Sequence, residues 1–160
     1  MGKAAVEAYF KQIGREDLEI MLFPVSSATV ELAAKAVGVP AAQIAKTLTI
    51  HTKDQDIVLV MGGAARINNR RFKDTFHSKA KMMTAEEALA ATGHAVGGVC
   101  PFGLAHPLPV YLDESLKAFE YVYPAAGESN SAVKVKVSEF AAITGGSWVD
   151  VSSEPQQEEA

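Results

Sequence analysis

Helical and strand patterns follow one another along this chain without the regular strand–helix–strand rhythm that a doubly wound parallel sheet requires. Residues 3–13 have helical spacing, and Gly14 is placed to end that helix. Residues 20–25 are apolar and extended, closed by Pro24 and Ser26-Ser27. A short helix spans 29–37 and is stopped by Gly38 and Pro40. Two strand patterns, 44–51 and 57–61, flank the polar turn Lys53-Asp54-Gln55-Asp56. Residues 67–77 are helical, with Phe72 and Phe76 on one side and Arg70, Lys73 and His77 on the other. Thr84-Ala85-Glu86-Glu87 is a capping box that opens a helix closed by Gly93. Strand composition then recurs at 109–113, 120–124 and 133–137, where Val133, Val135 and Val137 alternate with Lys134 and Lys136. A short helix over 138–144 and a strand over 148–151 complete the order. The pattern predicts one α+β domain over residues 1–152, a mixed and mainly antiparallel sheet surrounded by helices. Residues 153–160 read as an acidic tail.

At 160 residues, 48% hydrophobic and 21% charged, the chain can bury a core without disulfides or a structural metal. Its one cysteine, Cys100, excludes an internal disulfide framework and fits a reducing cytoplasm. The first residues show neither a secretory nor a myristoylation pattern, and no apolar run approaches the roughly 18 residues of a membrane span. The net charge of −4 would not draw a polyanion to the molecule as a whole. Between residues 66 and 81, however, Arg66, Arg70, Arg71, Lys73, Lys79 and Lys81 face only Asp74. This stretch is either a solvated helix face or a nucleic-acid contact.

Three segments break their local pattern. Lys46 shares one strand face with Ile44, Leu48 and Ile50, because side chains two apart point the same way. Such a lysine either snorkels from a strand end or stands at a pocket floor to receive a phosphate or carboxylate. Gly97-Gly98-Val99-Cys100-Pro101-Phe102-Gly103 is either a plain tight loop or a ligand loop whose N–H groups hold an oxyanion. Gly127-Glu128-Ser129-Asn130-Ser131 is a small polar turn. No Gly-x-Ser-x-Gly elbow or P-loop is present, and the spacing of His94, Cys100 and His106 fits no common zinc pattern, so no metal is expected. Cys100 with His94 or His106 as base is a further possible nucleophile, against the usual role of a lone cysteine as a small buried hydrophobe.

These pieces together resemble the YbaK/EbsC family, which includes the editing insertion domain of bacterial prolyl-tRNA synthetase and its free-standing relatives. The resemblance runs from about Leu22 to Val151. It is carried by Ser26-Ser27-Ala28-Thr29 with Gly38-Val39-Pro40, by Ile44-Ala45-Lys46-Thr47-Leu48, and by the run from Gly93-His94 to Phe102-Gly103. It closes with Val110-Tyr111-Leu112-Asp113-Glu114-Ser115-Leu116 and Ala125-Ala126-Gly127.

The resemblance implies a single α+β domain with a partly barrel-like sheet that hydrolyses the ester between a noncognate amino acid and tRNA, without a cofactor. It assigns catalysis to Lys46, Gly97, Gly98 and Gly103. It assigns substrate binding to Thr47, Pro101, Phe102, Gly127, Ser129 and Asp113, although Asp113 is also placed to cap a helix starting near Glu114. Arg66, Arg70, Arg71 and Lys73 would then meet acceptor-stem phosphates. The implied partners are the acceptor end of an aminoacyl-tRNA and a prolyl-tRNA synthetase, not a membrane or DNA. The chain departs from some editing relatives in having Glu128 and Ser129 where a histidine follows the later glycine, and Phe23 where a histidine precedes the proline. The Cys-Pro-Phe-Gly loop resembles free-standing relatives acting on small aliphatic or hydroxylated amino acids, on tRNA(Pro). Two other classes remain open: a non-catalytic module that binds tRNA or a synthetase, and a hydrolase dependent on Cys100.

Overall fold

The computed structural model describes residues 2–153. In chain order its elements are α1 (Lys3–Gln12), β1 (Ile20–Leu22), α2 (Val30–Val37), β2 (Ile44–His51), β3 (Asp56–Gly62), β4 (Arg66–Ile67), α3 (Asn69–Phe76), β5 (Lys81–Met82) and α4 (Ala85–Thr92). They continue with β6 (Val110–Asp113), β7 (Tyr121–Pro124), β8 (Ser131–Val133), β9 (Val135–Lys136), α5 (Val137–Thr144), β10 (Ser147–Val149) and β11 (Ser152–Ser153). Single 3-10 turns precede β2 and follow β6. Local chemistry sets the helix ends. The hydroxyls of Thr29 and Thr84 and the side-chain oxygen of Asn68 accept from the first turns of α2, α4 and α3. The capping box expected at Thr84 and Glu87 is complete.

The hairpin β2/β3 is the centre of the molecule. It is antiparallel, with Lys46 opposite Met61 and Ile50 opposite Ile57. On one side β6 joins β3 and β10 joins β6, both in parallel. On the other, β7 runs parallel to β2 and β9 antiparallel to β7, giving the order β10-β6-β3-β2-β7-β9. The sheet curls into a half-barrel, as the sequence pattern and resemblance anticipated for a mixed α+β domain. The antiparallel majority appears only when the separate pairs β1/β8 and β4/β11 are added, because the central sheet divides evenly.

Strand β3 is buried on both faces. Val58 and Val60 enter one core with Val6 and Phe10 of α1, Phe140 of α5, and Phe102. Ile57, Leu59 and Met61 enter a second with Ile50 and with Phe72 of α3. Phe72 and Phe76 stack at 4.6 Å between centroids, as their spacing predicted. Each fully buried aliphatic or phenylalanine contributes roughly 1.5–3 kcal/mol over leaving it in water, and these two clusters hold the helices to the sheet.

The segment 133–137 departs from expectation. Val133, Val135 and Val137 are all buried, as their alternation requires, but the ladder changes partner at Lys134. β8 pairs with β1, β9 with β7, and Val137 already opens α5. Periodicity records which face a residue takes, not which strand lies beside it. Ser153, read as the start of the tail, pairs with Arg66 in β4, while the remaining tail lies outside the described residues. Among the described residues no helix is long and apolar enough to cross a membrane.

Candidate functional site

β7 and β5 pair with the same edge of β2, yet they do not meet. β7 ends at Ala45 of that edge and β5 begins at Ile50. The residues between, 46–49, border a cavity of about 290 Å³. Its other walls come from residues 27–30 and Ala33 around the start of α2, from Met82, Met83, Thr84, Ala85 and Ala88, and from Val96, Gly97 and Val99. Ala125, Ser131 and Ala132 close it. Ala28, Ala33, Ala45, Ala88, Ala125 and Ala132 keep it open by being small.

Lys46 stands at this cavity, half-buried. Its Nζ donates to the carbonyl oxygens of Ala65 at 2.5 Å and Gly63 at 3.4 Å, in the turn after β3. Burial lowers its pKa, the positive charge of Arg66 lowers it further, and Glu31 opposes both. Its position on the Leu48 and Ile50 face follows the alternation, so the chain was explicit that this lysine is rooted among aliphatics. Thr47 also lines the cavity, and its Oγ1 is buried with no hydrogen-bond partner.

The two glycine loops meet here, but not as an array of free donors. Gly97 borders the cavity, with φ +87° and Ala28 and Ser129 so close that a Cβ would strike both. The N–H of Gly98 donates to Ala95 O, and its carbonyl accepts from Gly127 N–H. Gly127, at φ +95°, lies directly on Gly2 at the start of α1, and Glu128 accepts from the Lys3 N–H at 3.1 Å. Ser129 lends its carbonyl to the N–H of Ser27, which does line the cavity.

Pro101, Phe102 and Gly103 lie on the far side of their loop. Phe102 is fully buried against Phe10, with ring centroids 4.9 Å apart, and Gly103 packs on the Ala5 carbonyl. The cavity wall expected from residues 97–103 is therefore supplied by Gly97 and Val99, with Val96 before them. The Phe102 ring was drawn inward because the first core needed an aromatic there, a demand invisible in local composition.

Asp113 is also remote from the cavity. It is fully buried and accepts from Ser115 N–H, Val151 N–H and the Ser152 hydroxyl, capping the 3-10 turn as its position suggested. Arg66, Arg70, Arg71 and Lys73 are all exposed. Arg71 is tied to Ser152 O at 2.6 Å, and Arg66 comes near enough to Lys46 to shift it. Thr49 and Met83 border the cavity without having stood out in the sequence, and Ser27, Val96 and Ser131 stood there only as members of longer motifs. Ser131 organises the Gly127 turn by accepting from Ala126 and Glu128 N–H groups and donating to Glu128 O.

Cys100 Sγ lies 3.6 Å from His94 Nε2, but both side chains are buried and neither borders the cavity. His94 is buried, and its Nε2 lies 2.7 Å from Phe102 O, so that nitrogen carries the proton and donates. Burial lowers the pKa of His94 and pushes the Cys100 thiol up to about 12. Both side chains hold the loop from behind. Among the described residues no group of three or more His, Cys, Asp or Glu is placed to hold a metal.

Against known proteins, residues 25–143 match the model of the aminoacyl-tRNA editing domain. The uncharacterized protein YwhH of Bacillus subtilis is 44% identical over 153 residues, covering 94% of this chain and 97% of that one. A proline–tRNA ligase of Solidesulfovibrio magneticus is 37% identical over 90 residues, which are 55% of this chain and 15% of the ligase. The crystal structure of a candidate trans-editing enzyme for prolyl tRNA synthetase superposes with a TM-score of 0.87 at 29% identity, covering 94% of this chain and 96% of that one. With the cavity at the sheet gap and Lys46 on its wall, these likenesses place the chain in the aminoacyl-tRNA editing domain family.

Proposed function

We propose that this protein hydrolyses the ester of a small amino acid wrongly attached to tRNA, acting in trans, with alanine-, serine- or cysteine-sized groups on tRNA(Pro) as substrates. The observation that carries this reading is the cavity of about 290 Å³ at the interruption of the sheet, bordered by small side chains and by the half-buried Lys46. The ligase and the candidate trans-editing enzyme among the similar proteins support tRNA(Pro).

Lys46 donates to two carbonyls, which leaves one of the three ammonium donors for an anionic oxygen of the tRNA terminus. That contact anchors the acyl group in the cavity. A water oxygen adds to the ester carbonyl carbon, the bond to the ribose oxygen breaks, and that oxygen takes up the proton. An aminoacyl ester is already activated, so no protein nucleophile is required. Selection is steric: a synthetase gains only about 1–3 kcal/mol per methylene, and a second, smaller site removes what the first admits. The exposed Arg66, Arg70, Arg71 and Lys73 supply positive charge for the acceptor stem, which makes binding salt-sensitive.

The test is deacylation of a panel of mischarged tRNAs by wild type and Lys46→Ala. Wild type is expected to clear alanyl-tRNA(Pro) and spare prolyl-tRNA(Pro). Lys46→Ala is expected to lose a charged hydrogen bond of roughly 2–3 kcal/mol, or about 30- to 150-fold in kcat/KM. Salt-sensitive tRNA binding without turnover would instead mark a non-catalytic module, and equal rates for the two proteins would remove Lys46 from the reaction.

A further inference from the structure

We propose that Thr47 recognises the acyl group through its main chain, and that its N–H, rather than the glycine loop, receives the oxyanion. The proposal rests on the deacylase reading above and names the donor within that site. In the β2/β3 ladder the N–H of Gly63 donates to Ile44 O at 2.7 Å, and Lys46 lies opposite Met61. Even-numbered residues of β2 thus spend their main-chain groups on β3, and odd-numbered residues turn theirs to the other edge. There Ala45 is taken up by β7, and Thr49 O accepts from Met83 N–H at 3.0 Å. Thr47 falls between them, in the stretch that neither β7 nor β5 reaches, and it lines the cavity. Its side-chain Oγ1 is buried without a hydrogen-bond partner.

A strand edge that faces a cavity is a template for one more extended unit. An α-aminoacyl ester is such a unit, one residue long. Its amino group is a donor and its carbonyl an acceptor, set as in a strand residue. Paired with Thr47, the amino group donates to the Thr47 carbonyl and the ester carbonyl accepts from the Thr47 N–H. When water adds, negative charge grows on the oxygen that this N–H already faces. The N–H groups of Gly98 and Gly127 do not compete, because the first is spent on Ala95 and the second on Gly98. Selectivity follows: the site takes acyl groups with a free α-amino group and a small side chain.

Two measurements on the full-length protein test this. The first compares alanyl-tRNA(Pro) with propionyl-tRNA(Pro), which keeps the methyl-sized chain and lacks the amino group, each rate divided by its spontaneous hydrolysis. The alanyl ester is expected to be accelerated at least tenfold more. The second replaces the Thr47 amide by an ester through its α-hydroxy analogue, which removes the N–H and keeps every side chain. An oxyanion donor is typically worth about 10²–10³ in kcat, and a loss of that order with tRNA binding unchanged is expected. Equal acceleration of both acyl groups, or wild-type kcat in the ester-linked protein, would overturn the assignment while leaving the deacylase reading intact. A wild-type protein inert toward every acyl-tRNA would overturn the deacylase reading, and this assignment with it.

Discussion

Gly98 and Gly127 meet backbone to backbone: the Gly127 N–H donates to Gly98 O at 3.0 Å, and a Cβ on Gly98 would lie 2.6 Å from the Gly127 carbonyl carbon. Gly127 also lies directly against Gly2, so the start of α1, the 127 turn and the 97–98 loop meet at glycine backbones. Gly98→Ala is expected to cost about 1–3 kcal/mol, the usual penalty of forcing atoms into a packed site. Because Gly97 shares the cavity wall, the same change should lower deacylation by displacing it. Urea unfolding beside a turnover assay checks both, and a variant of wild-type stability would show that the backbones part easily.

Cys100 is expected to be dispensable. Its thiol is fully buried and raised to about 12, so almost no thiolate exists near neutral pH. Cys100→Ala should retain most of the kcat/KM, and iodoacetamide should not inhibit the native protein. Loss of activity in the alanine variant at unchanged stability would restore the cysteine-hydrolase class.

His51 links three elements near the cavity and makes stability depend on pH. Its Nδ1 lies 2.6 Å from Asp56 in β3 and its Nε2 3.0 Å from Glu87 in α4, and Lys81 of β5 is its register partner. Asp56 chiefly, then Glu87, raises its pKa above the usual 6.5 against the opposing effect of burial. A raised folded pKa means that the stabilisation is complete below the unfolded value and fades as pH rises through the folded one. His51→Gln should therefore lower Tm more at pH 6 than at pH 9. A Tm decrement that is flat across that range would show that the imidazolium does not fasten α4.

Asp113 is expected to matter for stability and not for the reaction. Its two carboxylate oxygens serve three donors, the half-buried Ser115 N–H and the buried Val151 N–H and Ser152 hydroxyl. Asp113→Asn turns an amide donor toward other donors, which should cost roughly 2–3 kcal/mol. Thermal melts should show the loss, while kcat at low temperature should stay near wild type. A kcat that collapses in a folded variant would return Asp113 to the substrate site.

The sequence by itself determined the elements and their faces. Thr29, Thr84 and Gly93 marked helix ends, the polar turn at 53–56 joined the central strands, and strict alternation set Lys46 on the face of Leu48 and Ile50. These are properties of neighbours in the chain, and propensity, capping and the two-residue period report them directly. Three matters were decided only by tertiary structure. Phe102 turned to the core because α1 brought Phe10 to it, and Gly98 and Gly127 proved to be spacers between backbones instead of free donors. The cavity itself exists because β7 and β5, dozens of residues apart in the chain, stop short of one another on the same edge of β2. Where two distant strands end relative to each other depends on how the whole sheet closes, and no local period encodes it.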